Sequence, residues 1–124
     1  MKLRDIVGAE APIAAPEESA GSAWERMRAQ GIDHLVVLRD KEVVGVLSRH
    51  DLGGPSGGSH RRMGRRVADL MKTDVVSATP GTDVRSAAAL MRRNGIGCLP
   101  VIDRGRLVGL VTVSDLLGLL ERTL

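Results

Sequence analysis

Two short segments carry the same spacing of reactive side chains. Gly45-Val46-Leu47-Ser48-Arg49-His50-Asp51 and Gly109-Leu110-Val111-Thr112-Val113-Ser114-Asp115 each place a hydroxyl three residues before a carboxylate, behind a glycine and an apolar pair. Such a carboxylate can accept hydrogen bonds from two neighbouring hydroxyls of one ligand. A hydroxyl at the end of a strand can face the same molecule, and a helix starting at Ser114 and Asp115 would offer free N–H groups to an anion. The same spacing is also a capping-box variant, in which each side chain satisfies the other's backbone and no ligand is needed. The two roles can coexist. Ser48, His50 and Asp51 are the three residue types of a hydrolytic triad. As close sequence neighbours they cannot line up as nucleophile, base and orienter. His34 and Cys98 occupy equivalent positions in the two halves and could approach one another, with His60 the remaining candidate for a metal. A zinc site wants three or four ligands. Neither a catalytic residue nor a metal site is therefore expected.

These segments sit inside a longer duplication. Shifted by 64 residues, positions 3–52 fall on 67–116 without a gap and with 15 identities, among them Pro16/Pro80, Met27/Met91, Gly31/Gly95, Gly45/Gly109 and Asp51/Asp115. Each copy opens with a short lead, Leu3 to Val7 or Val67 to Met71. An early extended piece follows, regular at Val75 to Thr79 and irregular at Ala11 to Ala15, and Pro16 or Pro80 then marks a turn. Apolar residues at i, i+4 and i+7 (Ala20, Trp24, Met27; Val84, Ala88, Met91) predict helices near 18–30 and 82–94, closed by Gly31 and Gly95. Two strands around a polar turn come next, at 35–38 and 43–47 and again at 99–102 and 107–111. A last helix is expected from Ser114 in the second copy, and Gly53-Gly54-Pro55 cuts it short in the first. The reading is repeat 1 over 2–52, a Gly/Ser- and Arg-rich linker over 53–65, and repeat 2 over 66–122.

The chain has 124 residues, 43% of them hydrophobic, with no Phe, no Tyr and only Trp24, so the core must be aliphatic. Trp24 is expected to pack in it. One cysteine, Cys98, cannot form an internal disulfide. Met1 to Asp5 lacks the apolar run of a signal peptide, and no stretch approaches the roughly 20 apolar residues of a membrane span. A soluble, cytoplasmic protein is expected. Arg61, Arg62, Arg65 and Arg66 account for more than the whole net charge of +3, which confines the basic character to one segment. That run is expected to be a solvated loop rather than an anion-binding patch. The lack of an aromatic platform counts against single-stranded nucleic acid.

The order strand, helix, I-x-x-L-x-V, turn, V-G and S/T-x-x-D resembles the cystathionine β-synthase (CBS) repeat. The two copies resemble a CBS pair, or Bateman module, over nearly the whole chain. The resemblance implies an α+β fold of the CBS α/β type, with two β-α-β-β-α repeats packed sheet to sheet about a pseudo-two-fold axis. It implies a regulatory, non-enzymatic module that binds AMP, ADP or ATP, or else S-adenosylmethionine or NAD(H), through a ribose-binding Ser/Thr and Asp. It implies clefts between the repeats, each built from both. One would join Ser48, Arg49, His50 and Asp51 to Val76, Ile96, Gly97 and Cys98. The other would join Thr112, Ser114 and Asp115 to Pro12, Ile32, Asp33 and His34. Ile32 and Ile96 would flank adenine. Asp33 is a poor neighbour for phosphates, so the Ser48/Asp51 set is the better fit to a phosphorylated ligand. No cofactor is required, and a homodimer that signals in trans, with an unidentified protein partner, is implied. The alternatives are a nucleic-acid-binding protein and a purely structural dimer with empty sites.

Overall fold

The computed structural model describes residues 1–8, 10–54 and 58–123. Pro55, Ser56 and Gly57, the middle of the linker predicted over 53–65, lie outside them. The chain is mixed α+β and divides into two compact units, Met1–Ala11 with Val76–Leu124, and Pro12–Val75. They are named here by their carboxylates, the Asp115 unit and the Asp51 unit.

In the Asp51 unit, β1 (Ile13–Ala14) runs parallel to β2 (His34–Arg39), which pairs antiparallel with β3 (Glu42–Ser48). The β2–β3 turn is only Asp40-Lys41, both with positive φ (50° and 72°), a primed turn that follows the natural strand twist. Helix α1 (Ala20–Gln30) starts where the Ser19 side chain accepts from the Ser22 N–H at 3.1 Å. It ends at Gly31, whose φ of 66° is the left-handed conformation a helix terminus favours. One face of α1 buries Ala20, Ala23, Trp24 and Met27 against Leu35, Val37 and Leu47. The aliphatic core and the packing role of Trp24 are as expected.

The Asp115 unit repeats the scheme. Helix α4 (Val84–Asn94) is capped by Asp83 and closed by Gly95, and it packs Ala87 and Met91 against Leu99, Val101 and Val111. Strands β4 (Cys98–Asp103) and β5 (Arg106–Thr112) form the hairpin, and α5 (Val113–Thr123) follows directly.

The early strands reverse the expectation. The irregular-looking Ala11 to Ala15 forms β1, whereas Val75 to Thr79 makes only an isolated bridge, Ala78 to Val101. The cause is one proline. In the Asp51 unit the Val36 N–H donates to the Pro12 carbonyl at 2.9 Å. Pro100 stands where Val36 stands and has no N–H to give.

The basic segment also departs from a solvated loop. After β3 the chain makes a single turn, with Gly53 N–H to His50 O at 3.0 Å, and stops at Gly53 and Gly54 (φ 99° and 65°). The carbonyls freed at that stop are taken by the arginines of α2 (Gly58–Arg62). Arg61 donates to Asp51 O at 2.7 Å, and Arg62 to Leu52 O at 3.0 Å and Gly54 O at 3.3 Å. The Arg62 guanidinium also lies 4.0 Å from the centre of the Trp24 ring. Two of the four cations thus replace the missing helix rather than face solvent alone.

The sequence repeats and the spatial units do not coincide, because each unit is completed by the lead that precedes the other. Leu3 and Ile6 pack with the Asp115 core, anchored by Leu3 N–H to Thr82 O at 2.9 Å. The short helix α3 (Val67–Leu70) packs with the Asp51 core, where the Val67 N–H donates to Glu18 O at 2.8 Å. Behind α3, Lys72 exchanges both backbone bonds with Val46, at 3.0 and 2.9 Å. This approach needs glycine. A Cβ on Gly45 would stand 2.9 Å from the Lys72 carbonyl oxygen and 2.6 Å from the Met71 sulfur, and one on Gly109 would overlap Val7. Gly45→Ala and Gly109→Ala are each expected to cost about 1–3 kcal/mol through overpacking. Urea melts followed by Trp24 fluorescence and circular dichroism check this. Gly21→Ala, in α1 with open space around it, is the control expected to gain stability.

Candidate functional site

Both hydroxyl–carboxylate segments lie at the end of the second hairpin strand, where antiparallel pairing brings the segment beside the first residues of the neighbouring strand. His34 pairs with Ser48, and Cys98 pairs with Thr112. Within the Asp51 unit the structure thus brings Ser48 to Asp51 next to Ile32, Asp33 and His34. Within the Asp115 unit it brings Thr112 to Asp115 next to Ile96, Gly97 and Cys98.

The capping box is formed in both. The Ser48 N–H donates to Asp51 Oδ2 at 2.9 Å, and the Asp51 N–H to Ser48 Oγ at 3.1 Å. The Thr112 N–H donates to Asp115 Oδ2 at 2.8 Å, and the Asp115 N–H to Thr112 Oγ1 at 3.2 Å. Each cap engages one carboxylate oxygen. The second oxygen distinguishes the sites. Asp51, 8% exposed, turns Oδ1 to the Lys72 ammonium at 3.2 Å. Asp115 is exposed, and among the described residues no ion pair engages its Oδ1.

The surrounding side chains differ as well. The Arg49 guanidinium is held inside its unit, 3.1 Å from Asp33 Oδ1, and donates to Ile32 O at 3.1 Å and Met27 O at 3.2 Å, which closes the end of α1. Its backbone N–H donates to Asp33 O at 3.0 Å. His50 is exposed, and Pro12 is half-buried with its carbonyl on Val36. In the Asp115 unit the Val113 N–H donates to Gly97 O at 3.1 Å, Cys98 is buried, and Val76 and Ile96 pack partly against the core. A hollow of about 380 Å³ beside Asp115 is lined by Asp5, Ile6, Ser114, Gly118 and Arg122. Among the described residues no three His, Cys, Asp or Glu gather as metal ligands, and no helix is long and apolar enough to cross a membrane.

Lys72 is the residue that sequence reasoning missed. It lies 21 positions after Asp51, and its counterpart under the 64-residue shift is Gly8. Neither residue belongs to a motif. The available signal was the approach to Gly45, since what crosses that glycine is delivered to the strand end.

Half-buried His34 has its imidazole pKa lowered from the ordinary 6.5, chiefly by burial. Asp33 and Asp51 oppose the shift and Lys72 adds to it. A lowered value means that the folded state favours the neutral ring, so the unfolded chain takes up the proton first. Stability is fully present above the ordinary value and falls as pH drops from there towards the lowered one. His34→Gln is expected to flatten that loss. Urea midpoints of both proteins at pH 8 and in steps below 6.5 measure it.

A model of the CBS domain matches residues 3–52 and 67–122. The chain belongs to the CBS-domain family, as a pair of repeats. It is 32% identical over 104 residues to inosine-5'-monophosphate dehydrogenase of Thermoplasma acidophilum, a match covering 83% of this chain and 20% of the enzyme. The chain thus spans about a fifth of that relative. Among solved structures, the CBS domain pair of protein MJ0100, in complex with 5-methylthioadenosine and S-adenosyl-L-methionine, superposes with a TM-score of 0.87 at 24% identity, covering all of this chain and 98% of that one. CBSX2 in complex with AMP superposes at 0.83 with 22% identity over 98% and 97% of the chains. At these identities the likeness establishes the fold.

Proposed function

We propose that this protein is a regulatory module that senses an adenosine-containing nucleotide of the AMP, ADP or ATP class, with Asp51 and Asp115 each accepting the two ribose hydroxyls. One observation carries the reading. At the same strand end in both units, a reciprocal cap engages one carboxylate oxygen and holds the side chain in place beside a hydroxyl. Ser48 and Thr112 stand beside it. The complexes of MJ0100 with two adenosine compounds and of CBSX2 with AMP support the ligand class. The residue sets named with each carboxylate in the sequence, Arg49, His50, Val76, Ile96, Gly97 and Cys98 with Asp51, and Pro12, Ile32, Asp33, His34 and Ser114 with Asp115, belong to the same proposal.

A thermal-shift panel of AMP, ADP, ATP, NADH and S-adenosylmethionine tests it. One-site binding at a hundredfold excess over Kd stabilises by about 2.7 kcal/mol, which is readily seen. Asp51→Asn and Asp115→Asn keep a capping oxygen and lose the charge, so each is expected to reduce the shift from its own site. No response to any of these compounds at millimolar concentration overturns the reading.

The output of such a module is proposed to pass through a homodimer to a protein partner acted on in trans. Helix α5 supports self-association, since none of its residues is buried and Val113, Leu117 and Leu120 are 45%, 59% and 52% exposed. Sedimentation velocity is expected to give a dimer that Leu117→Glu/Leu120→Glu converts to monomer. A monomeric parent protein overturns this part.

A further inference from the structure

We infer that Lys72 makes the Asp51 site selective for ligands that carry an anionic group beside their diol, phosphorylated nucleosides over unphosphorylated ones, and that the Asp115 site lacks this preference. The inference rests on the nucleotide reading above and adds the charge class of the ligand.

The geometry sets an exchange problem at Asp51. Oδ2 is committed to the Ser48 N–H, and Oδ1 is held by Lys72 at 3.2 Å. The carboxylate is nearly buried, while the lysine side chain is 62% exposed and arrives from solvent on a long flexible stem. A neutral diol that binds Oδ1 must displace the ammonium and leave it without an anion. A diol with a phosphate nearby lets the ammonium move from carboxylate to phosphate, so one charge-assisted contact replaces another. Among the described residues, the other cations near the strand end are already engaged. Arg49 is spent on Asp33 and on the carbonyls that close α1, and Arg61 and Arg62 on carbonyls after β3. Asp33 is balanced by the same Arg49, so the carboxylate nearest the strand start does not oppose a phosphate with an unpaired charge.

The second unit supplies the internal comparison. Lys72 and Gly8 are the same structural position, because each lays its carbonyl oxygen against the equivalent glycine, at 2.9 Å from a Cβ position on Gly45 and 3.4 Å from one on Gly109. Only one of them has a side chain. Around Asp115 the charges lining the hollow are Asp5 and Arg122, which offset each other, and neither forms an ion pair with Asp115 among the described residues.

Calorimetry on the full chain carrying Asp115→Asn, with AMP and adenosine as ligands, tests the inference. AMP is expected to bind more tightly than adenosine. Adding Lys72→Gln is expected to weaken AMP roughly tenfold, the loss of about one charge-assisted hydrogen bond, and to leave adenosine unchanged or tighter. Lys72→Arg is expected to retain the preference. The clasp that Lys72 makes with Val46 is all backbone, and urea melts of each variant check that the fold survives where Lys72→Gln leaves Asp51 without its cation. Equal effects of Lys72→Gln on both ligands, or none on either, overturn the inference and leave the nucleotide reading standing. So does binding that survives only at Asp115, with none in the Asp115→Asn chain. A parent protein that binds neither ligand overturns both.

Discussion

A two-bond backbone clasp between Lys72 and Val46, laid over the absent side chain of Gly45, underlies the chemistry of the Asp51 unit. It closes the core by bringing Val67 and Leu70 onto α1 and the hairpin. It also sets the reach of Lys72 to the strand end. A backbone pairing of this kind fixes the path of the chain, whereas a surface ion pair alone is weak and easily dispersed. The ammonium therefore meets Asp51 because the chain path takes it there, and the carboxylate holds still because its cap does.

The Asp115 unit shows how little must change for that arrangement to vanish. Its lead also lies against Gly109, yet brings Val7 and Gly8 instead of Met71 and Lys72. Val113 replaces Arg49, Cys98 replaces His34 and Gly97 replaces Asp33. One frame thus carries a strand end whose charges are paired with one another and a second whose carboxylate is exposed. Both copies keep the hairpin pairing and the reciprocal cap, while the early strand and the side chains around the strand end diverge.

The parts of this fold that depend on local pattern were legible in the sequence. The 64-residue repeat, the helices closed at Gly31 and Gly95, both hairpins and the two capping segments follow from periodicity and from residues with fixed backbone preferences. The parts set by hydrogen-bond accounting between distant residues were not. Pro100 is an unremarkable strand residue until one asks which donor meets the early segment. Arg61 and Arg62 read as surface charge because the orphan carbonyls that recruit them exist only once the helix has stopped at Gly53. Lys72 has no motif at all, and its meaning comes from the path of the backbone.

The exchange of leads governs how the chain can fold during synthesis. Residues 1–8 contribute Leu3 to a core whose other members begin at Ala78, so they emerge first and wait longest for their partners. The Asp51 unit, by contrast, is complete once residue 75 has left the ribosome. Docking Leu3 into its core closes a loop of some seventy residues, at the entropic cost such a closure carries, whereas the contacts of the Asp51 unit all fall within Pro12–Val75.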